Sequence, residues 1–183
     1  MRRQQGITLI EVLVAAVVIT VGLLGVFQLH LTAKRGSFES YNYTQALSLA
    51  SDVIERIRVN PSRLANYAAI NYGSGSYTLP STPCHESGGA INRCTPDQML
   101  LWDQYLWDQQ LLGTDERIGE RNLGSPADMT GCIYVSGNDV EVVVSWRGMN
   151  ATRDGAGEDS SNCGTADNHR RMVRVETVIV EGV

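Results

Sequence analysis

A single carboxylate, Glu11, stands inside a run of 23 residues, Ile7 to Leu29, that otherwise carries no charge. An acidic side chain at the centre of a membrane-spanning helix costs about 2.5–3.5 kcal/mol on insertion scales, and less near the interface. A residue held at that cost needs a cationic partner, and the chain offers none nearby. The first basic side chain after Glu11 is His30, about five helical turns away. The segment before the run, Met1-Arg-Arg-Gln-Gln-Gly6, is short and basic. Read as a plain signal anchor, it keeps Arg2 and Arg3 in the cytoplasm, which explains orientation and leaves Glu11 unexplained. Removal of residues 1–6 would expose a new amine on Ile7, close to Glu11 in one chain and able to face the same carboxylate in a neighbouring copy.

Four cysteines are the next reactive groups: Cys84, Cys94, Cys132 and Cys163. None forms a Cys-x-x-Cys pair, and an even number scattered through loop-like sequence of an exported domain points to disulfides. Of three possible pairings, Cys84–Cys94 with Cys132–Cys163 closes the shorter loops. A zinc reading would recruit His85 beside Cys84, at a spacing that fits no common zinc site. The three histidines, His30, His85 and His169, have no Ser or Cys arrangement that would make a nucleophile, and no phosphate-cradling glycine loop occurs. The loop Asp154-Gly-Ala-Gly-Glu158-Asp159, with Asp167 nearby, has the oxygen ligands that calcium prefers, at a spacing that fails the helix–loop–helix calcium pattern. Solvated loop charges are the plainer reading. The expectation is a protein without catalytic residues, cofactor or metal. With a formal net charge of −5 and no basic stripe, nucleic acid is set aside as a partner.

These groups need elements to hold them. A bilayer core takes about 20 apolar residues of helix, so Ile7–Leu29 is long enough to span. The sequence divides into a leader over residues 1–6, a membrane or filament-core half-helix over 7–30, and an exported domain over 31–183. No small-x-small site follows the apolar run where a secretory signal would be cut. The helix is expected to continue, because Leu31, Phe38, Leu49, Val53 and Ile57 recur at roughly helical spacing, widened by Ala46, Ala50 and Ile54. Asp52, Glu55, Arg56 and Arg58 take the other face. Asn60-Pro61 ends it, giving about 78 Å of helix over residues 7–58. Gly22, Gly25 and Gly36 weaken that helix by about 1 kcal/mol each, either to allow close helix–helix approach or because the bilayer tolerates them.

Residues 61–94 read as a long irregular connection. Thr95-Pro96-Asp97-Gln98 then supplies a helix start and Gly113 a stop, with a stripe of Met99, Trp102, Leu106 and Tyr105. Trp102 and Trp107 fit core packing better than partner anchoring. Cys132–Ser136 and Asp139–Trp146 flank the two-residue turn Gly137-Asn138, and residues 171–180 alternate as a third strand. A helix followed by antiparallel strands is an α+β domain with the sheet packed on the helix.

The stretch Gly6-Ile-Thr-Leu-Ile-Glu11-Val-Leu-Val-Ala resembles the class III signal of type IV pilins and type II secretion pseudopilins. In that family a prepilin peptidase cuts after the glycine and N-methylates the new first residue, here Ile7, where Phe is commonest. The wider run to Gly25, with Leu-Ala-Ser-Asp-Val-Ile-Glu-Arg-Ile-Arg later, is similar to PilV-type minor pilins over about the first third of the chain. The resemblance implies cleavage between Gly6 and Ile7, methylation of Ile7, and Glu11 as the assembly residue. It further implies a long helix packed on an antiparallel sheet, other minor and major pilins as partners, and an inner-membrane assembly machinery. The expected location is the bacterial inner membrane, single-pass with the C-terminal domain periplasmic, and then the pilus, near its tip, with roles in initiation of assembly, motility and adhesion. Two other readings stand beside it: a minor pseudopilin of a type II secretion system, and a membrane-tethered binding domain that never assembles.

Overall fold

A computed structural model describes residue 6 and residues 8–84, 93–156 and 162–180. The chain forms two compact units, Met1–Ser40 and Tyr41–Val183. Helix α1, Leu9–Val59, is continuous over 51 residues. It ends one residue before Asn60-Pro61, as a proline requires.

Among the described residues of the first unit the helix is the only regular element, and its apolar side chains from Leu9 to Leu29 are exposed. In the second unit α1 turns one stripe inward. Asn42, Ala46, Ala50, Val53, Ile54 and Ile57 are buried there, at the 3–4-residue spacing of a single helix face. The stripe starts later than apolar spacing alone suggests, since Leu31 is half-buried and Phe38 is 46% exposed. Alanine at positions 46 and 50 lets the helix backbone approach closely, while valine and isoleucine fill the deeper positions.

Four antiparallel strands face that stripe. They are β1 (Ala69–Tyr72), β4 (Thr130–Ser136), β5 (Asp139–Arg147) and β6 (Arg170–Val178), in spatial order β1-β4-β5-β6. A separate two-stranded ribbon joins β2 (Arg117–Ile118) to β3 (Arg121–Asn122). Strands β4 and β5 pair from Thr130↔Ser145 to Ser136↔Asp139, around Gly137 with its left-handed φ of +61°. Alternation along the strands sends Ile133, Val140, Val142, Val144, Trp146 and Val173 into the core beneath α1. The opposite face buries a small apolar cluster, Cys132, Val143 and Cys163, with Ser145 and Arg170 buried beside it.

The connection expected to be irregular over 61–94 contains structure. Pro61–Tyr67 is a 3-10 helix, and β1 follows it at once. Tyr67 and Tyr72 are both buried. Two aromatic anchors five residues apart, joined by the Tyr72 hydroxyl donating to the Tyr67 carbonyl at 2.8 Å, hold the strand against β4.

Helix α2, Pro96–Leu112, starts with a full capping box. The Gln98 amide donates to Thr95 Oγ1 at 3.3 Å, and the Gln98 side chain accepts from the Thr95 amide at 2.9 Å. Gly113 closes it in the left-handed conformation. Its buried face differs from the expected stripe: Leu100, Trp102, Asp103, Trp107, Asp108 and Leu111 are inside, whereas Met99, Tyr105 and Leu106 are only half-buried. Both buried carboxylates are satisfied. Asp103 accepts from the Tyr67 hydroxyl at 2.7 Å and pairs with Arg56 at 3.4 Å. Burial pushes its carboxyl above the usual range, against the pull of those two partners. Asp108 accepts the amides of Gly73 and Gly75 and so fixes the turn that leaves β1.

Trp107 is fully buried at the meeting point of both helices and the sheet. Its Nε1 donates to the Leu49 carbonyl of α1 at 3.0 Å, and its ring meets Tyr72 edge-on at 4.7 Å. Gly131 of β4 makes room for it: a Cβ there would lie 2.5 Å from the Trp107 ring and 2.7 Å from Leu111. Gly131→Ala is therefore expected to destabilise the folded unit by about 1–3 kcal/mol through overpacking. Denaturant unfolding would check this, and an unchanged midpoint would show that the ring has room to move.

Candidate processing and assembly site

Every large apolar side chain from Leu9 to Leu29 is more than half exposed. A mean hydropathy of 2.7 over an 18-residue window, with none of that window buried, makes this an apolar surface far beyond what a soluble monomer carries. Length and composition suit a membrane. Glu11 lies in the first turn of α1, exposed, where the amide of Glu11 and that of Val12 both donate to the Thr8 carbonyl. The positive end of a helix favours a carboxylate there by about 0.3–1 kcal/mol, which lowers its cost without neutralising it. Glu11 makes no ion pair with any described residue.

Gly6 is exposed, and a Cβ on it would meet nothing within 4 Å. Among the described residues, no close approach demands a glycine at this position. Ile7, expected to become the first residue and to be methylated, lies outside the described residues. Gly22, Gly25 and Gly36 also have open space around them within one chain, so any close packing they serve involves another molecule.

The cysteines form two disulfides, Cys84–Cys94 and Cys132–Cys163. The second spans 31 residues and ties the long β5–β6 connection to the outer face of β4. Closing a loop of that length contributes roughly 3–4 kcal/mol in the chain-entropy view. The zinc reading at Cys84 loses its thiolate to the disulfide, and His85 lies outside the described residues.

The candidate calcium loop is organised by arginine. Asp154 receives Arg170 at both oxygens, at 2.7 and 2.8 Å, and this pair holds its carboxyl below the usual range. Asp167 accepts the His169 amide and the Arg147 guanidinium. Glu158 and Asp159 lie outside the described residues. Among the described residues no three His, Cys, Asp or Glu side chains are grouped to hold a metal ion. Sequence reasoning missed Arg170 altogether. It is buried, with Nη1 donating to the Cys163 carbonyl at 3.2 Å, and it joins the disulfide to the loop. Its only local signal was an arginine opening an apolar strand.

Two family models match the chain. Residues 1–27 match the prokaryotic N-terminal methylation motif, and residues 28–105 match the model described as Tt1218-like, type IV pilin Tt1218. The α+β architecture, a long apolar N-terminal helix with an antiparallel sheet, fits the fold of type IV pilins. No curated protein and no solved structure matches the chain.

Proposed function

We propose that this pilin-type chain is a minor pilin, of the PilV kind, that is processed between Gly6 and Ile7 and assembles into a type IV pilus near its tip. The single observation behind this reading is Glu11, a lone carboxylate in the first turn of an apolar helix that no described part of its own chain covers. Such a helix is stable in lipid, and equally stable packed against like helices, so moving between the two costs little hydrophobic free energy. The carboxylate makes the second state specific. In the filament it meets the N-terminal amine that cleavage creates on Ile7, and two groups costly in lipid neutralise each other.

Gly6 fits the same scheme. An exposed residue without a side chain lets the protease reach the peptide bond. Residues 1–6 stay on the cytoplasmic side with Arg2 and Arg3, and the disulfide-bonded unit folds in the oxidising periplasm. With other minor pilins this subunit would help start assembly, and so support motility and adhesion. The prepilin peptidase and the inner-membrane assembly machinery are its other partners.

The test is the N-terminal mass of the protein from a native pilus or membrane preparation. An N-methylated Ile7 start is expected, and Gly6→Val should leave the chain intact from Met1. An intact start in the parent protein would overturn the reading in favour of an ordinary membrane anchor. Loss of exoprotein release, with twitching preserved, in a deletion strain would instead assign the chain to a type II secretion system.

A further inference from the structure

The uninterrupted apolar run of α1 ends at Leu29, and His30, Lys34 and Arg35 follow it at once. All three side chains are exposed, and Lys34 is the only lysine in the chain. His30 and Lys34 are four residues apart, so they stand one above the other on a single helix face, with Cβ atoms about 5–6 Å apart. On the side of this pair toward Glu11 the same face carries an open apolar hollow, lined by Thr20, Leu23, Leu24, Val26, Phe27 and His30.

The chain brings no anion to this face. No Asp or Glu stands between Glu11 and Glu39, and Lys34 pairs with no carboxylate among the described residues. Glu39 is five residues beyond Lys34, more than a third of a turn around the helix. Arg35 is four residues before Glu39 and shares its face, so of the two neighbouring cations Lys34 is the uncompensated one. Neither sets orientation, which basic residues on the cytoplasmic side govern. Their depth is telling. From Leu9 to His30 the helix rises about 32 Å, close to the hydrocarbon thickness of a bilayer. Lys34 stands about 6 Å further along, inside the headgroup layer.

We infer that His30 and Lys34 together hold the phosphate of an anionic phospholipid, in the leaflet away from Glu11, with an acyl chain lying along the hollow. The inference rests on α1 spanning a membrane and not on which assembly the chain enters. The imidazole supplies one N–H donor and the ammonium up to three, and their spacing lets both reach oxygens of one phosphate. Such charge-assisted bonds are the strong kind. Charge complementarity and depth select the occupant. Phosphate lies at this level in every bilayer, whereas a like helix standing beside α1 at the same level offers Lys34 no carboxylate on the matching face. The contact also fixes how deep the helix sits. Glu11, about 35 Å back along the axis, is then held at the opposite boundary of the hydrocarbon and out of its centre, where a carboxylate costs most.

The experiment uses the full chain with isotope-labelled lysine, which marks Lys34 alone and leaves Arg2 and Arg3 silent. The chain is placed in vesicles of three parts phosphatidylcholine to one part phosphatidylglycerol, in a buffer without phosphate. Solid-state magnetic resonance then measures dipolar coupling between Lys34 Nζ and lipid phosphorus. A separation of about 4 Å is expected, as a hydrogen bond to a phosphate oxygen requires. His30→Ala removes the second ligand and should weaken the coupling about twofold or more, as should vesicles of phosphatidylcholine alone. Arg35→Ala, one residue away and on another face, should leave it as in the parent. Absence of coupling in the mixed vesicles would overturn the inference while leaving the N-terminal mass result untouched. Equal coupling in the two kinds of vesicle would overturn the choice of an anionic lipid. Equal losses in His30→Ala and Arg35→Ala would overturn the paired site in favour of diffuse charge attraction.

Discussion

Glu11→Ala should leave the chain in the membrane while its incorporation into sheared filaments falls by about a hundredfold. The two halves of this result have opposite signs, which is what makes it informative. Removing a carboxylate from an apolar helix makes insertion easier, because a charge costing up to about 2.5–3.5 kcal/mol is gone. The membrane level of the subunit should hold or rise. Incorporation should fall because the Ile7 amine then enters the helix bundle with no carboxylate to meet it. An uncompensated buried charge costs about 3–5 kcal/mol, a factor of roughly a hundred or more. Glu11→Gln should behave nearly the same, since it keeps the shape and loses the charge. Both variants should still be cut at Gly6, because in the proposed sequence cleavage precedes assembly. Immunoblots of the filament and membrane fractions would measure the ratio. Parent-like incorporation of Glu11→Ala would remove the pairing mechanism from the proposal.

Trp107→Ala should destabilise the second unit by about 3–5 kcal/mol, as removal of a fully buried large aromatic does. For a unit of this size that corresponds to a fall in Tm of about 10 °C. The residue touches every layer: the α1 backbone at Leu49, the ring of Tyr72, and Gly131 of β4. Trp107→Phe keeps most of the volume and loses the Nε1 donor, so it should cost much less, near the 1 kcal/mol of a net hydrogen bond plus a small void. Thermal unfolding of the full chain in detergent would check both. Equal effects of the two substitutions would mean that the bond to Leu49, and not packing, accounts for the contribution of Trp107. Membrane association, carried by residues before Leu31, should be unaffected by either.

Much of this molecule follows from local pattern. The apolar run and its carboxylate are contiguous in sequence, so Gly6, Ile7 and Glu11 could be read as a site without any fold. The α2 capping box is a four-residue device, Thr95 to Gln98, and its chemistry is complete within those residues. The β4–β5 hairpin needs only alternation around Gly137-Asn138, and β6 alternates strongly enough to be read alone. Tertiary structure decided what local pattern has no means to encode. Strand β1 is four residues long in a polar stretch, too short to show a period, and exists because Tyr67 and Tyr72 find a buried place beside α2 and β4. The inner face of α2 includes Asp103 and Asp108, which a polar–apolar pattern assigns to solvent. Their partners, Tyr67, Arg56 and the amides of Gly73 and Gly75, lie some 33 to 47 residues away. Burial of a charge depends on whether distant groups arrive to satisfy it, and that is settled only when the chain has folded. The sequence by itself determined where the chain is apolar enough to cross a membrane and where that run carries its one charge, because lipid solvation acts on each residue in turn. Only the folded unit decided which polar groups became interior, because that depends on contacts between segments far apart in the chain.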